Sequence, residues 1–236
     1  MTAHPASPGG FCWMDLKTRD LAGTTAFLAA ALGWHLAVDE EDWRRSTKIT
    51  TADGHLIGGV SDLANPVYPP ETPPHIASYL TVDVVDRRAA MAVAAGARLV
   101  VPPFDAGDQG RMATLVDPVG AAVSFWQPYR FRGWEFPPRA PGTPQRMVLT
   151  CQQPDRAREF YRVVTGTTFA RADFVVGDAP QWEVMVGVED LEAVAARVHG
   201  RVSSSADAGR PALRLTSPEG LALRVVQLHH HRLGDR

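Results

Sequence analysis

The feature that most constrains this chain is an internal repetition. In the first half, FCWMDLKT reads as a strand, and Asp20 then opens a helix with Leu21, Thr25, Leu28 and Leu32 along one face and Phe27 beside them. Gly33 closes that helix, where a left-handed residue costs glycine least. In the second half, RMVLTCQQ is the strand, Pro154 sits where a first helical turn accepts proline, Ala157, Phe160, Tyr161 and Val164 form the apolar stripe, and Gly166 is the exit. Phe27 matches Phe160 and Gly33 matches Gly166 at one offset, as a duplication requires.

A second unit also occurs once in each half. ASYLTVDVVDRRAAMAVAAGARLV and VMVGVEDLEAVAARVHGRV are each a strand, a helix begun at an acidic residue, and a glycine exit into another strand. Each leads to a Pro-x-Gly turn, DPVG from Asp117 and SPEG from Ser217, in which proline presets φ and glycine allows positive φ before a final strand. The chain therefore reads as an α+β protein of four strand–helix–strands modules paired two by two. The third is degenerate, because strand signal is short between Phe169 and Pro180. Residues 1–128 and 145–236 are the expected domains. Residues 129–144 read as a proline-rich linker, whose Trp134 and Phe136 are too apolar to be left in water.

Composition narrows the partners. A net charge of -2 with no basic block gives no reason to expect nucleic acid, and no apolar run approaches a membrane span. The first ten residues have neither a basic nor an apolar leader region, so a cytoplasmic protein is expected, with Cys12 and Cys151 as buried reduced thiols. No phosphate-binding glycine loop and no nucleophile elbow is present; the glycines near Gly107 do not lie between a strand and a helix.

Four βαβββ modules, together with the stretch PPFDAGDQGRMATLVDPVGAAVSFWQP, resemble the vicinal-oxygen-chelate superfamily of glyoxalases, bleomycin-resistance proteins and dioxygenases. The sequence is similar to its two-domain, hydroxylase-named actinobacterial branch. The resemblance implies two glyoxalase-like cups, and in the metal enzymes four inward His, Gln or Glu ligands per cup. Counting along the strands puts these positions at Trp13, Gly58 or Gly59, Ser78 and Ser124 in the first cup, and at Arg146, Val184 and Arg224 in the second. None suits a divalent ion, which needs imidazole, carboxylate or thiolate, so neither metal nor cofactor is expected.

The remaining polar groups define the candidate site. Asp15 lies two residues after Trp13, hence on the same strand face, and a carboxylate there beside an indole is the candidate acid–base residue; the alternative pairs it with Arg111 or Lys48 as a structural group. Trp13, Trp43, Phe104 and Trp126 are the expected aromatic walls for a flat apolar ligand, though some of them are equally suited to an ordinary core. Ser78, Ser124 and Arg111 are the expected orienting groups. The loop from Phe104 to Gly110 reads as a mobile flap, and His55 and His75 as surface residues. Arg146 and Arg224 either bind an anion or pair with a local acid such as Glu183. The run His229 to His231 reads as a tail rather than a metal tract. The partner expected is a small molecule, taken by a monomer or homodimer. It is either transformed by metal-free isomerisation, dehydration or cyclisation, or held unchanged by a sequestering protein. A third reading fills the cups with the protein's own side chains.

Overall fold

A computed structural model describes residues 9–42, 45–169, 171–198, 200–207 and 210–228. Trp43 and the histidine run at 229–231 lie outside them. The first eight strands and two helices are β1 (Phe11–Thr18), α1 (Leu21–Leu32), β2 (His35–Val38), β3 (Thr47–Thr50), β4 (Leu56–Asp62), β5 (His75–Thr81), α2 (Val85–Ala94), β6 (Arg98–Asp105), β7 (Gly110–Val116) and β8 (Ala122–Pro128). After the linker come β9 (Pro144–Cys151), α3 (Pro154–Thr165), β10 (Ala172–Val176), β11 (Gln181–Val188), α4 (Leu191–Arg197), β12 (Val202–Asp207), β13 (Arg210–Thr216) and β14 (Ala222–Gln227). The predicted linker loses Pro144, which begins β9.

The strands form an eight-stranded sheet ordered β2-β3-β4-β1-β5-β8-β7-β6 and a six-stranded sheet ordered β10-β9-β11-β14-β13-β12. In each an antiparallel pair joins the two modules, β1 with β5 and β9 with β11, and each strand of that pair has a parallel neighbour from its own module. The third module is the degenerate one. Its β10 takes the place beside β9 that β4 holds beside β1, and among the described residues no hairpin corresponds to β2 and β3.

Local chemistry explains the helix ends. Gly33 and Gly166 both adopt left-handed caps, at φ 67° and 73°, so the matched glycines do matched work. Asp20 accepts from the Gly23 amide and caps α1, while Pro154 occupies the first turn of α3. The buried stripe of α1 is Thr24, Leu28 and Ala31 rather than the line through Leu21, which remains exposed. Thr24 is buried because its hydroxyl has a partner, Thr18 Oγ1 at 2.8 Å.

The helices lie between the sheets, α1 against α4 and α2 against α3, so one apolar cluster runs from Met14 and Leu16 through Leu28 and Tyr161 to Val225. Polar contacts cross it. Tyr161 of α3 donates to Asp117 Oδ2 in the DPVG turn at 2.8 Å and accepts from Trp182 Nε1 at 2.9 Å. In return, Glu219 of the SPEG turn accepts from Thr18 Oγ1 and from the backbone amides of Arg19 and Asp20 at 3.2 and 3.1 Å, at the start of α1. Each Pro-x-Gly turn thus docks on a helix of the other half. No helix among the described residues is long and apolar enough to cross a membrane.

Candidate functional site

The site is built from the faces of the sheets turned away from the helices. Along β1, Met14 and Leu16 enter the core, while Trp13, Asp15 and Lys17 point the other way. Residues paired across a ladder share a face, which extends this surface to Gly59 and Ser61 on β4 and to His75, Ala77 and Tyr79 on β5. It continues through Ser124 and Trp126 on β8, Thr114 and Met112 on β7, and Phe104 on β6.

One side of this cup is aromatic. Phe131, from the linker, stands edge-on to Trp13 with ring centroids 4.8 Å apart and 6.0 Å from Trp126, which is 6.1 Å from Tyr79. Trp126 Nε1 donates to the Phe131 carbonyl at 3.1 Å. Gly110 makes room for the indole, since a Cβ there would meet Trp126 at 2.4 Å. Phe131 is held by the turn at residues 106–109: Tyr129 N and Phe131 N donate to Gln109 O at 3.0 and 3.1 Å, and Arg130 pairs with Asp108 at 2.9 Å. The flap expected from Phe104 to Gly110 is therefore a closed hairpin turn. Phe104 and Asp105 belong to β6, and Ala106 N donates to Gly110 O at 2.8 Å.

The other side is polar. Lys17 Nζ donates to Asp15 Oδ2, to Ser61 Oγ at 2.8 Å and to Tyr68 Oη at 3.3 Å, and it lies 5.2 Å from the Tyr68 ring centroid. Ser61 Oγ in turn donates to Asp15 Oδ2 at 2.8 Å. Burial works against the Lys17 ammonium but is outweighed by the charge and hydrogen bond of Asp15 and by Tyr68, so its pKa stands above the ordinary lysine value. The Lys17 and Asp15 side chains keep 14% and 13% exposure, which leaves the pair open to a ligand. Gly59 faces the carboxylate, and a Cβ there would sit 3.0 Å from Asp15 Oδ1.

Several expected residues are placed otherwise. Ser78 pairs with Met14 on the helix-facing side, and its buried hydroxyl has no partner; the cup position on β5 is Tyr79. Arg111 also faces the helices, clamped on Asp86 of α2 through Nε at 2.6 Å and Nη2 at 2.9 Å, with Asp105 at 3.2 Å. It does not reach Asp15, and neither does Lys48, which pairs with Asp42 at 3.8 Å. Ser124 does face the cup, but it is buried and shares a 2.8 Å hydrogen bond with Thr114. His75 is the first residue of β5, opposite Lys17, with its Nδ1 2.8 Å from the Pro73 carbonyl oxygen. Half-buried His55 lies 6.4 Å from the Phe136 ring. Lys17, Ser61, Tyr68, Tyr79 and Phe131 were missed. Lys17 alone carried a signal, lying two residues beyond Asp15 on one strand face.

The second cup is ionic. Arg146 is engaged by Asp173 through two hydrogen bonds, at 2.7 and 2.5 Å. Glu183, only 3% exposed, accepts from Arg214 Nε at 2.6 Å and from Arg224 Nε at 2.7 Å, one oxygen for each. The cup position on β11 is Glu183 rather than Val184, which pairs with Met147 and joins the core.

These donor sets do not fit the divalent metal that the resemblance implies. The only carboxylates facing the cups from the positions just described are engaged by lysine or arginine, and among the described residues no three His, Cys, Asp or Glu converge.

Residues 10–125 match the family model for the Glyoxalase/Bleomycin resistance protein/Dioxygenase superfamily. The chain is 28% identical over 246 residues to CFP32 of Mycobacterium tuberculosis, named as a glyoxylase, covering 91% of this chain and 93% of that protein. It is 27% identical over 263 residues to the anthracycline biosynthesis protein DnrV of Streptomyces peucetius, covering 94% of each. Among solved structures, homoprotocatechuate 2,3-dioxygenase of Brevibacterium fuscum superposes with a TM-score of 0.66 at 13% identity, covering 98% of this chain and 83% of that one. The Mn(II)-bound glyoxalase of Novosphingobium aromaticivorans gives 0.60 at 15% identity, covering 96% and 83%. At such identities the structural likeness speaks for the fold.

Proposed function

Because the chain belongs to the glyoxalase/bleomycin resistance protein/dioxygenase superfamily, we propose that its first cup binds a flat, largely apolar aromatic or polyketide-like metabolite and acts on it without a metal. The observation that carries this reading is the Asp15–Lys17–Ser61 cluster on the same face as Trp13. Trp13, Tyr79, Phe104 and Trp126 supply the walls, and the names of the relatives from anthracycline biosynthesis favour an aromatic polyketide.

The chemistry that suits this corner is proton transfer. Asp15 Oδ1, over Gly59, takes a proton from the carbon beside a substrate carbonyl, while the Lys17 ammonium exchanges its long 3.3 Å hydrogen bond to Tyr68 Oη for one to the carbonyl oxygen as negative charge builds there. Return of the proton to another carbon completes an isomerisation; its delivery to a departing β-hydroxyl, which leaves as water, makes the step a dehydration, and its delivery to the oxygen of a second carbonyl attacked by the enolate makes it a cyclisation. Lys17 keeps its charge throughout, consistent with its raised pKa. The protein works in the cytoplasm in this reading, and the buried Cys12 thiol, pushed up to about 12, is inert.

A sequestering protein is the second reading, favoured by Phe131. An aromatic side chain of the protein already lies against Trp13 and Trp126, and a planar ligand exchanged for it needs no chemistry. Native mass spectrometry of the purified protein, followed by incubation with 1,8-dihydroxyanthraquinone and with any co-purified compound, tests both. A ligand altered by the parent and left intact by Asp15→Asn supports the enzyme. One bound and released unchanged supports sequestration. Failure of both compounds to quench tryptophan fluorescence rejects the aromatic cup.

A further inference from the structure

We propose that the second cup is a receptor for the carboxylate of a small organic acid, centred on Arg214 and Arg224. The argument begins with charge. On this face Arg146 is balanced by Asp173, whereas Glu183 is shared by two guanidiniums. One carboxylate between two arginines leaves a positive charge over.

Among the described residues no second carboxylate is hydrogen-bonded or ion-paired to Arg214 or Arg224. Arg224, 9% exposed, spends its other N–H groups on hydroxyls, Ser205 Oγ at 3.1 Å and Thr150 Oγ1 at 3.0 Å, which accept hydrogen bonds but carry no charge. Beside it on the same face lie Val148, Met185 and Val226, a small apolar cluster. A single arginine would have completed the pair with Glu183; the second adds desolvation cost without a local counterion.

Arg214 is where an outside anion meets this charge. Its side chain is 37% exposed, its Nε is fixed on Glu183 Oε1, and its Nη1 reaches Thr216 Oγ1 only at 3.5 Å. Among the described residues its Nη2 has no hydrogen-bond partner, so the outer edge of the guanidinium is held in place and open. Two parallel N–H groups on a fixed plane match the two oxygens of a carboxylate. Glu183 thus acts as the positioning residue that orients both arginines.

The test is a titration of the full chain with sodium benzoate, read by NMR of the arginine side-chain Nε–H signals, against sodium chloride at matched ionic strength. Saturable movement of the Arg214 and Arg224 signals with benzoate and not chloride is expected. Arg214→Gln leaves a neutral Glu183–Arg224 pair, keeps the far-UV circular dichroism of the parent and weakens benzoate roughly tenfold or more. Arg214→Lys, with the charge but not the fork, weakens it less, and Arg162→Gln on the surface of α3 leaves it unchanged. Equal shifts with chloride, an adventitious ion only, overturn the proposal. So does benzoate binding of parental strength in Arg214→Gln or, should that variant not fold, in Arg214→Lys.

Discussion

Replacing Tyr161 by Phe removes one oxygen from the middle of the molecule and tests whether the crossing between the two halves carries stability. That hydroxyl donates to Asp117 Oδ2 at 2.8 Å and accepts the Trp182 indole N–H at 2.9 Å, with all three side chains buried. A hydrogen bond to a charged group contributes about 1.5–3 kcal/mol, and a buried donor left without a partner costs about 1–3. The expected loss near neutral pH is therefore about 3–5 kcal/mol, read as a lower urea midpoint at unchanged slope. Burial raises the Asp117 carboxyl, against the pull of its hydrogen bonds from Ala121 N and Tyr161. The native protein then holds more protons than the unfolded chain between the ordinary carboxylate value and the raised one, so stability falls as pH rises through that window. Without the tyrosine donor the carboxyl rises further, and the variant loses more in neutral than in mildly acidic buffer. A loss under about 1 kcal/mol, or an equal loss in both buffers, refutes the reasoning.

Two further substitutions probe the other contacts. Glu219→Gln removes the carboxylate at the start of α1 and costs about 0.5–1 kcal/mol after solvent screening. Burial opposes the Glu219 charge but is outweighed by the hydrogen bonds from Thr18, Asp20 N and Arg19 N, so its pKa is lowered and its stabilisation is lost as pH falls through the folded value; the variant's acid limb in urea melts should be shallower. Phe131→Ala opens the aromatic side of the first cup, with a red-shifted tryptophan emission and a loss of about 1–2 kcal/mol; an unchanged spectrum would show that Phe131 does not shield Trp13 and Trp126.

The parts legible in the sequence were those fixed by neighbours along the chain. Gly33, Gly166, Pro154 and the two Pro-x-Gly turns act through local φ preferences, and Trp13 and Asp15 share a face by simple alternation. The site was less legible because a face depends on register. Counting from helix starts put Ser78 and Val184 in the cups, one residue away from Tyr79 and Glu183, and a slip of one turns a side chain to the opposite side. Arg111 is clamped from α2, and two of the partners of Lys17 lie on β4 and in the connection after it, separations that no spacing rule reports. Phe131 sat in a proline-rich segment whose path over the sheet is set by the turn at 106–109.

The crossed docking of the two turns also bears on how such a chain is inherited. A duplicated gene begins with interchangeable halves, but here Asp117 is answered by Tyr161 and Glu219 by the backbone at the mouth of α1. A chimaera whose borrowed first half lacks an acid at the place of Asp117 leaves the Tyr161 hydroxyl without its acceptor, whereas Glu219 still meets backbone amides. At that contact the two repeats must change in step, acid and tyrosine together.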